Sequence, residues 1–349
     1  MENIIELTET DFSVCEKADS FLQSAMWGEF KSQFGWTARA FLVNWGFSQM
    51  QESFPLLVLC RRLMPGFSIA YIPWGPEAPA SFPFEARPKA AAQLAQMLKP
   101  FLARNTVVIR FEPPWQAESD LETKFLAAGF KKAAATVQPP DTVIINLNNS
   151  CKEILAAMKP KWRYNVCLAE KKGVQVKKSA AHELEIFYSL LKETAQRDGI
   201  AVHGFDYYKT LFEICEKQKD KQNINLYIAS HEDDILAAIV VLFRGKDAVY
   251  LYGASSNVKR NLMAPYALQW KAMQDAKEAG CQNYDLFGIP PNEDPNHPMA
   301  GLYRFKTGFG GLIVHKAGSF DYVFKNIFYN LFNFAEGLRK KLRDLRKKR

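Results

Sequence analysis

One plan of strand-length and helix-length patterns runs through this chain twice, and that order constrains the fold more than any other feature. In the first pass, PLLVLCRRL (55–63) and SIAYIPWGP (68–76) read as a hairpin, the stretch Ala86 to Arg104 carries apolar residues at helical spacing, and TVVIRFEPP (106–114) reads as a strand. In the second, INLYIAS (224–230), ILAAIVVLF (235–243) and DAVYLYGASS (247–256) read as a meander. A helix over Met263 to Gly280 and the strand QNYDLFGIPP (282–291) follow. Both passes close on strand, helix, strand, acidic residue and Pro-Pro. Strand runs alternating with long helices predict α/β sheets with helices packed on them. The two copies differ too much in sequence to be a solenoid-type repeat. A chain of 349 residues is long enough for two domains, each with its own core. The division is placed near Asn148.

Between the copies the pattern is helical. Ser150 is placed to cap a helix, with Glu153 three residues on. Pro160 is expected to break that run and Gly173 to close it. Further helices are expected over His182 to Arg197 and Asp206 to Lys217. Near the C-terminus, Phe324, Phe328, Leu331, Ala335, Leu338, Leu342 and Leu345 recur at spacings of four and three, a heptad stripe. The reading is a helix docked on the body over 324–338, with a basic end at 339–349 free to meet anionic lipid headgroups or RNA phosphate. The seam covers only about three heptads, so a monomer is expected.

Net charge is +8, but it is unevenly placed. The last eleven residues, RKKLRDLRKKR, are net +7, Lys159 to Lys178 is net +6, and the rest of the chain is net −5. Two basic patches on a mildly acidic body suit phosphate, nucleic acid or an anionic membrane face; a solvated helix face is the plain alternative. Six cysteines without a C-x-x-C pair predict reduced thiols rather than disulfides or a zinc ribbon. No apolar run approaches the roughly 20 residues that cross a bilayer. The acidic start MENIIELTETD lacks a signal-peptide pattern, so a cytoplasmic location is expected. The five histidines have no metal-ligand spacing, and H-E-x-x-H, G-x-S-x-G, Walker and Rossmann motifs are all missing. Chemistry is left to carboxylates, lysines, tyrosines and backbone donors.

A meander, an aromatic strand end and then a helix resemble the GNAT acyltransferases, in which backbone N–H groups at the helix N-terminus bind the pyrophosphate of acyl-CoA. The loop SSNVKRNLMAP (255–265) departs from that pattern. It has no Gly-rich turn, and Leu262, Met263 and Pro265 would crowd a pyrophosphate. Five further segments carry a more specific likeness. FLQSAMWGEFKSQFGW (21–36), MKPKWRYNVCLAEKKGV (158–174), ETAQRDGI with FDYYKTL (193–200, 205–211), VYLYGASSNVKRNLMAPYALQWKAM (249–273) and GLYRFKTGFGG (301–311) resemble the FemABX family, from Phe21 to about Phe320. The resemblance implies two GNAT-like α/β domains with mixed sheets flanked by helices. The first would be 1–148, completed by 312–349, and the second 149–311. No room is left between Phe205 and Ile224 for the coiled-coil arm of some members, so the chain looks like the armless FemX type.

The same likeness implies transfer of an amino acid from aminoacyl-tRNA to the diamino-acid side chain of a peptidoglycan precursor, either UDP-MurNAc-pentapeptide or lipid II. No metal or cofactor is implied beyond that co-substrate. Lys306 matches the lysine that offsets the developing oxyanion, with Phe305 and Tyr303 excluding water. Lys31, Tyr207 and Tyr252 match precursor contacts. His203 stands where the FemX pattern has arginine, and cannot make an arginine's bidentate fork; Arg197 is one neighbour that could compensate. Glu112 replaces a family aspartate, as a general base or as an anchor for its loop. Lys159, Lys161, Arg163, Lys171 and Lys172 are candidates for the tRNA backbone, with Arg163 equally placed for a structural role. Two rivals remain: an N-acyltransferase with another acyl donor, and a non-catalytic tRNA- or membrane-binding protein.

Overall fold

The computed structural model describes residues 5–331 apart from 48, 49, 65 and 180. It divides into two compact units, Met1–Pro140 with His315–Arg349, and Asp141–Val314. The first unit opens with β1 (Ile5–Thr10), α1 (Ala25–Ser32), β2 (Thr37–Phe47), β3 (Met50–Met64), β4 (Phe67–Ile72), α2 (Arg87–Leu98), β5 (Thr106–Phe111), α3 (Leu121–Ala127) and β6 (Phe130–Lys132). The second holds β7 (Asp141–Asn146), α4 (Cys151–Ala157), α5 (Pro160–Lys171), β8 (Gln175–Ser179), α6 (Leu184–Asp198) and α7 (Phe205–Lys217). It continues with β9 (Gln222–His231), β10 (Asp234–Arg244), β11 (Asp247–Ser255), α8 (Ala264–Glu278), β12 (Asn283–Asp285), α9 (Ala300–Thr307) and β13 (Leu312–His315). The chain then returns to the first sheet as β14 (Phe320–Val323).

Among the described residues each unit is built on a seven-stranded mixed sheet, ordered β1-β2-β3-β4-β5-β14-β6 in the first and β13-β7-β12-β11-β10-β9-β8 in the second. The duplicated plan is present in both. An antiparallel meander leads to a parallel pair, β4 with β5 and β11 with β12, and each parallel pair is joined by one helix, α2 or α8. Parallel neighbours cannot be linked by a tight turn, so the helix is the crossover. Small residues let these helices approach the sheet closely. Ala90, Ala91, Leu94, Ala95 and Leu98 of α2 bury against Phe41, Val43, Ile72 and Ile109, while Leu268, Ala272, Met273 and Ala276 of α8 bury against Tyr227, Ile239 and Tyr284.

Local signals worked where they were strong. Ser150 and Glu153 form a reciprocal capping box at the start of α4, and α5 begins at Pro160. Two expectations change. The division falls at Pro140 rather than near Asn148, because β7 pairs with β12 in the second sheet. The strand read over 282–291 pairs only at Asn283–Asp285, since Phe287 turns to a positive φ of 56° and Pro290 and Pro291 follow. The turn of 218–221 joins α7 directly to β9, and no coiled-coil arm occurs among the described residues.

The C-terminal segment is tied into the first sheet by chemistry as well as pairing. β14 lies between β5 and β6. Arg110 holds Asp321 in a buried bidentate pair, Nε to Oδ1 at 2.7 Å and Nη2 to Oδ2 at 2.9 Å. A helix then runs over 326–331, and the basic stretch 339–349 lies outside the described residues. No helix among the described residues is long and apolar enough to cross a membrane.

Candidate active site

The second unit gathers several motif residues around one amine. Lys306 lies in the last turn of α9 and is 5% exposed. Its Nζ donates to the carbonyls of Phe287 and Gly288, both at 2.9 Å, and stands 5.2 Å from the centroid of the Tyr250 ring. Those carbonyls are aimed by a short turn after β12. Asp285 Oδ1 accepts from the Phe287 N–H at 2.7 Å and also from Thr142 Oγ1, which supports the left-handed backbone of Phe287. Burial pushes the amine of Lys306 down from 10.5 to about 7, and the Asp285 charge opposes that shift in part.

The neighbouring motif supports α9 from behind. Trp162 of α5 donates its indole N–H to the Phe305 carbonyl at 2.8 Å. Phe305 packs edge-on against Tyr266 and Phe309. Gly308 and Gly310 have no room for a side chain: a Cβ on Gly308 would lie 2.1 Å from the Trp162 ring, and one on Gly310 would lie 2.1 Å from the Ala157 carbonyl. The K-T-G-F-G-G and K-W-R-Y-N segments are therefore one packed unit. Tyr303 is half-buried on the same helix and its carbonyl accepts from Thr307 Oγ1 at 2.9 Å.

Beside Phe305 lies a cavity of about 460 Å³. Leu236, Met263, Tyr266 and Phe305 give it apolar walls, and Ser255, Ser256, Lys259 and Arg260 give it polar ones. Glu193, Thr194 and Arg197 of α6 clamp its edge: Glu193 accepts from the Asn257 N–H at 2.8 Å, Thr194 accepts from the Ser255 N–H at 3.0 Å, and Arg197 donates to the Ser255 carbonyl at 2.8 Å. Arg197 is thus engaged here and with Asp198, not offered in place of the missing arginine at 203. At the start of α8, Pro265 has no N–H and the amides of Leu262, Met263 and Tyr266 bond to Lys259, Arg260 and Met263 carbonyls. Three of the amides that could cradle a pyrophosphate there are already committed internally, and Pro265 removes a fourth.

Three predicted acceptor residues come together nearby in the same unit. His203, exposed, stacks on Tyr207 with ring centroids 3.8 Å apart. Tyr207 shares a hydrogen bond with Tyr252, whose ring meets Tyr208 edge-on at 5.1 Å. Tyr250 and Tyr252 flank Leu251, where the pairing of β11 with β10 slips by one residue. Burial raises the Tyr250 phenol to about 12, so it is a donor throughout the physiological range.

Other candidates sit elsewhere. Lys31 is in α1 of the first unit, half-buried, with its Nζ 5.5 Å from the Trp27 ring and 5.9 Å from the Phe30 ring. Desolvation, with the Arg61 charge adding to it, lowers that amine to about 8. Glu112, also in the first unit, is 3% exposed, and its carboxylate accepts from Tyr71 Oη, Ser319 Oγ at 2.5 Å, and the Val137 and Gln138 N–H groups at 2.6 and 3.1 Å. Those bonds make it the anchor of the 137–138 loop. Lys159, Lys161, Lys171 and Lys172 are exposed around α5, whereas Arg163 is half-buried and donates to the Ala156 carbonyl at 3.0 Å and to the Met158 carbonyl, closing the end of α4.

Asp285, Trp162 and Tyr250 were not singled out from sequence. Asp285 had a signal, the acidic residue closing each copy of the plan; the other two are recognisable only from what they touch.

The chain resembles known proteins across nearly its whole length. It is 24% identical, over an alignment 394 positions long, to the lipid II:glycine glycyltransferase of Staphylococcus saprophyticus, covering 94% of each chain. The crystal structure of FemX superposes with a TM-score of 0.79 at 20% identity, covering 94% of this chain and 100% of that one. A tandem GNAT protein from the clavulanic acid biosynthesis pathway superposes with a TM-score of 0.50 at 11% identity, over 91% of this chain and 98% of that one. Two GNAT-like units in one chain are therefore the fold. The model of the FemAB family matches residues 122–220 and 213–337, across the α5, α8 and α9 segments that build the lysine site, and the chain belongs to the FemAB family.

Proposed function

We propose that this protein is an aminoacyltransferase that moves an amino acid from aminoacyl-tRNA to the side-chain amine of the diamino acid in a peptidoglycan-precursor stem peptide. The observation that carries the reading is Lys306, a buried amine fixed by two carbonyls, whose chain neighbour Phe305 forms part of the wall of a cavity large enough for a small ligand. An ammonium has three N–H groups. Two are held by Phe287 and Gly288, and the third can meet an oxyanion. In the proposed step the acceptor amine attacks the ester carbonyl, forming a C–N bond and a tetrahedral oxyanion. Collapse breaks the C–O bond to the terminal ribose, and the proton lost by the amine ends on that ribose hydroxyl. A positioned cation in a dry site lowers such a barrier by roughly 3 kcal/mol. Phe305 and Tyr266 keep the site apolar.

Three further observations support the donor and acceptor. The committed amides and Pro265 at the start of α8 disfavour acyl-CoA. The exposed lysines around α5 suit a polynucleotide backbone. The activity named for the Staphylococcus saprophyticus relative, lipid II:glycine glycyltransferase, supports a lipid-linked precursor and an amino-acid donor. Tyr207, Tyr252 and His203 are assigned to the acceptor side, with Lys31 contacting the anionic part of the precursor; Glu112 is assigned to its loop. The test is incubation of candidate precursors with a charged tRNA pool or with acyl-CoA, followed by mass spectrometry. An amino-acid mass increment that disappears with RNase is expected. RNase-insensitive acyl transfer from the thioester would overturn the reading.

A further inference from the structure

Docking through the C-terminal stripe, as read from sequence, holds for Phe324 but not for Phe328 and Leu331, which are 47% and 61% exposed. Another uncovered ring stands among charges that define its partner. Tyr164, on α5, is 63% exposed and makes no hydrogen bond or ring contact among the described residues. At about 100° per residue, Lys161, Tyr164, Leu168 and Lys171 share one arc of about 80° on that helix. Leu168 is half-buried; both lysines are exposed and form no ion pair among the described residues. At 1.5 Å per residue the lysines stand about 5 and 10 Å along the axis on either side of the ring. Glu170, the one acid of α5, lies about 140° around from the middle of the arc. Asn165, Val166 and Ala169 are buried on a further side, where the Trp162 indole bonds to the Phe305 carbonyl. Just before the helix, the N–H of Lys159 donates to the Gly308 carbonyl at 2.9 Å. One side of α5 thus braces α9, which carries Lys306, and another presents a tyrosine between two cations to solvent.

We propose that Tyr164 is a stacking platform for an unpaired base near the ester-bearing end of the RNA donor, with Lys161 and Lys171 meeting the phosphates beside it. Stacking on an aromatic ring needs a base whose face is free, and the ester of a charged tRNA sits on its unpaired end. Bases within a duplex already cover one another. A lipid surface would draw on several exposed apolar side chains, and this arc offers one ring and a half-buried leucine. The inference rests on the RNA donor of the proposed function and adds where its unpaired end is gripped.

The experiment is fluorescence anisotropy of the full-length protein with two uncharged RNA hairpins, one with a short unpaired 3′ end and one blunt. Tyr164→Ala is expected to weaken binding of the overhang hairpin about tenfold and to leave the blunt one unchanged. Tyr164→Phe and Tyr164→Trp keep a ring face and should bind like wild type, which a lost hydrogen bond or a disturbed fold would not give. Lys161→Ala with Lys171→Ala should weaken the overhang hairpin and flatten its salt dependence. All three side chains are exposed, so thermal unfolding should keep the wild-type midpoint. Undiminished binding of the overhang hairpin by Tyr164→Ala overturns the proposal, and so does an equal loss on both hairpins. So does binding to phosphatidylglycerol vesicles that depends on Tyr164 while RNA binding ignores it. Transfer is read separately: RNase-sensitive transfer by a protein whose RNA binding is indifferent to Tyr164 refutes this contact and keeps the donor, whereas RNase-insensitive transfer from acyl-CoA removes both.

Discussion

Lys306 is a buried amine whose ordinary value of 10.5 falls to about 7, and its charge state sets what it can do. As the cation that meets an oxyanion, it requires the protonated form, so kcat should decline as pH rises through about 7. A kcat that climbs through the same range would assign the neutral amine a base's role instead. Stability carries an independent signature. Between about 7 and 10.5 the unfolded chain holds a proton that the folded chain has released. Wild type should therefore gain stability on Lys306→Met as pH rises through that window, by up to about 1.4 kcal/mol per pH unit. Chemical denaturation of both proteins across the range checks it. Lys306→Ala should cost about 10²–10³ in kcat while leaving precursor and tRNA binding near wild type. Glu112 separates in the opposite direction. Glu112→Gln should destabilise by about 1–3 kcal/mol, because an amide cannot accept all the donors of Tyr71, Ser319, Val137 and Gln138, with kcat per folded molecule unchanged.

α9 delivers the lysine, but α4 and α5 determine where it stands. Gly310, at a φ of 83° and against the Ala157 carbonyl, and Gly308, against the Trp162 ring, allow the end of α9 to sit on them. Gly308→Ala should cost more than about 2 kcal/mol, read as a lower denaturation midpoint, because an aromatic ring and two helices would have to move. Trp162→Phe keeps most of the packing and removes one bond to the Phe305 carbonyl. It should lower kcat about tenfold with little change in KM, since a displaced α9 misplaces the amine rather than the substrate. Helix ends here were readable from sequence: Ser150, Glu153 and Pro160 are local chemistry. The short strands β13 and β14 were not, because four residues carry no period and pair only with partners far along the chain.

Across the molecule, the first sheet is completed by residues that arrive after the entire second unit. β14 sits between β5 and β6, and its Asp321 is buried against Arg110. Arg110→Ala should therefore cost about 3–5 kcal/mol, since it leaves a buried carboxylate without its cation. Truncation after Val314 should abolish the first unit's cooperative unfolding, whereas truncation after Leu338 should leave it intact. Calorimetry distinguishes the two. The discontinuity of the first unit was expected, but its inner edge was misplaced, since β7 looks like any other apolar strand until it is paired.

Periodicity, caps and proline positions in the chain were enough to define a duplicated α/β plan, because helix and strand patterns are local consequences of side-chain spacing. Lys306 and Lys31 were singled out through motif likeness, and Glu112 as the residue standing in for a family aspartate at a strand end. The turn that aims two carbonyls at one amine, the commitment of Arg197, Arg163 and Glu112 to neighbouring backbone, and the exposure of Phe328 and Leu331 were settled by packing. Each depends on contacts between residues distant in sequence, and burial, hydrogen-bond partners and the lowered affinity of an amine for its proton exist only once those contacts have formed.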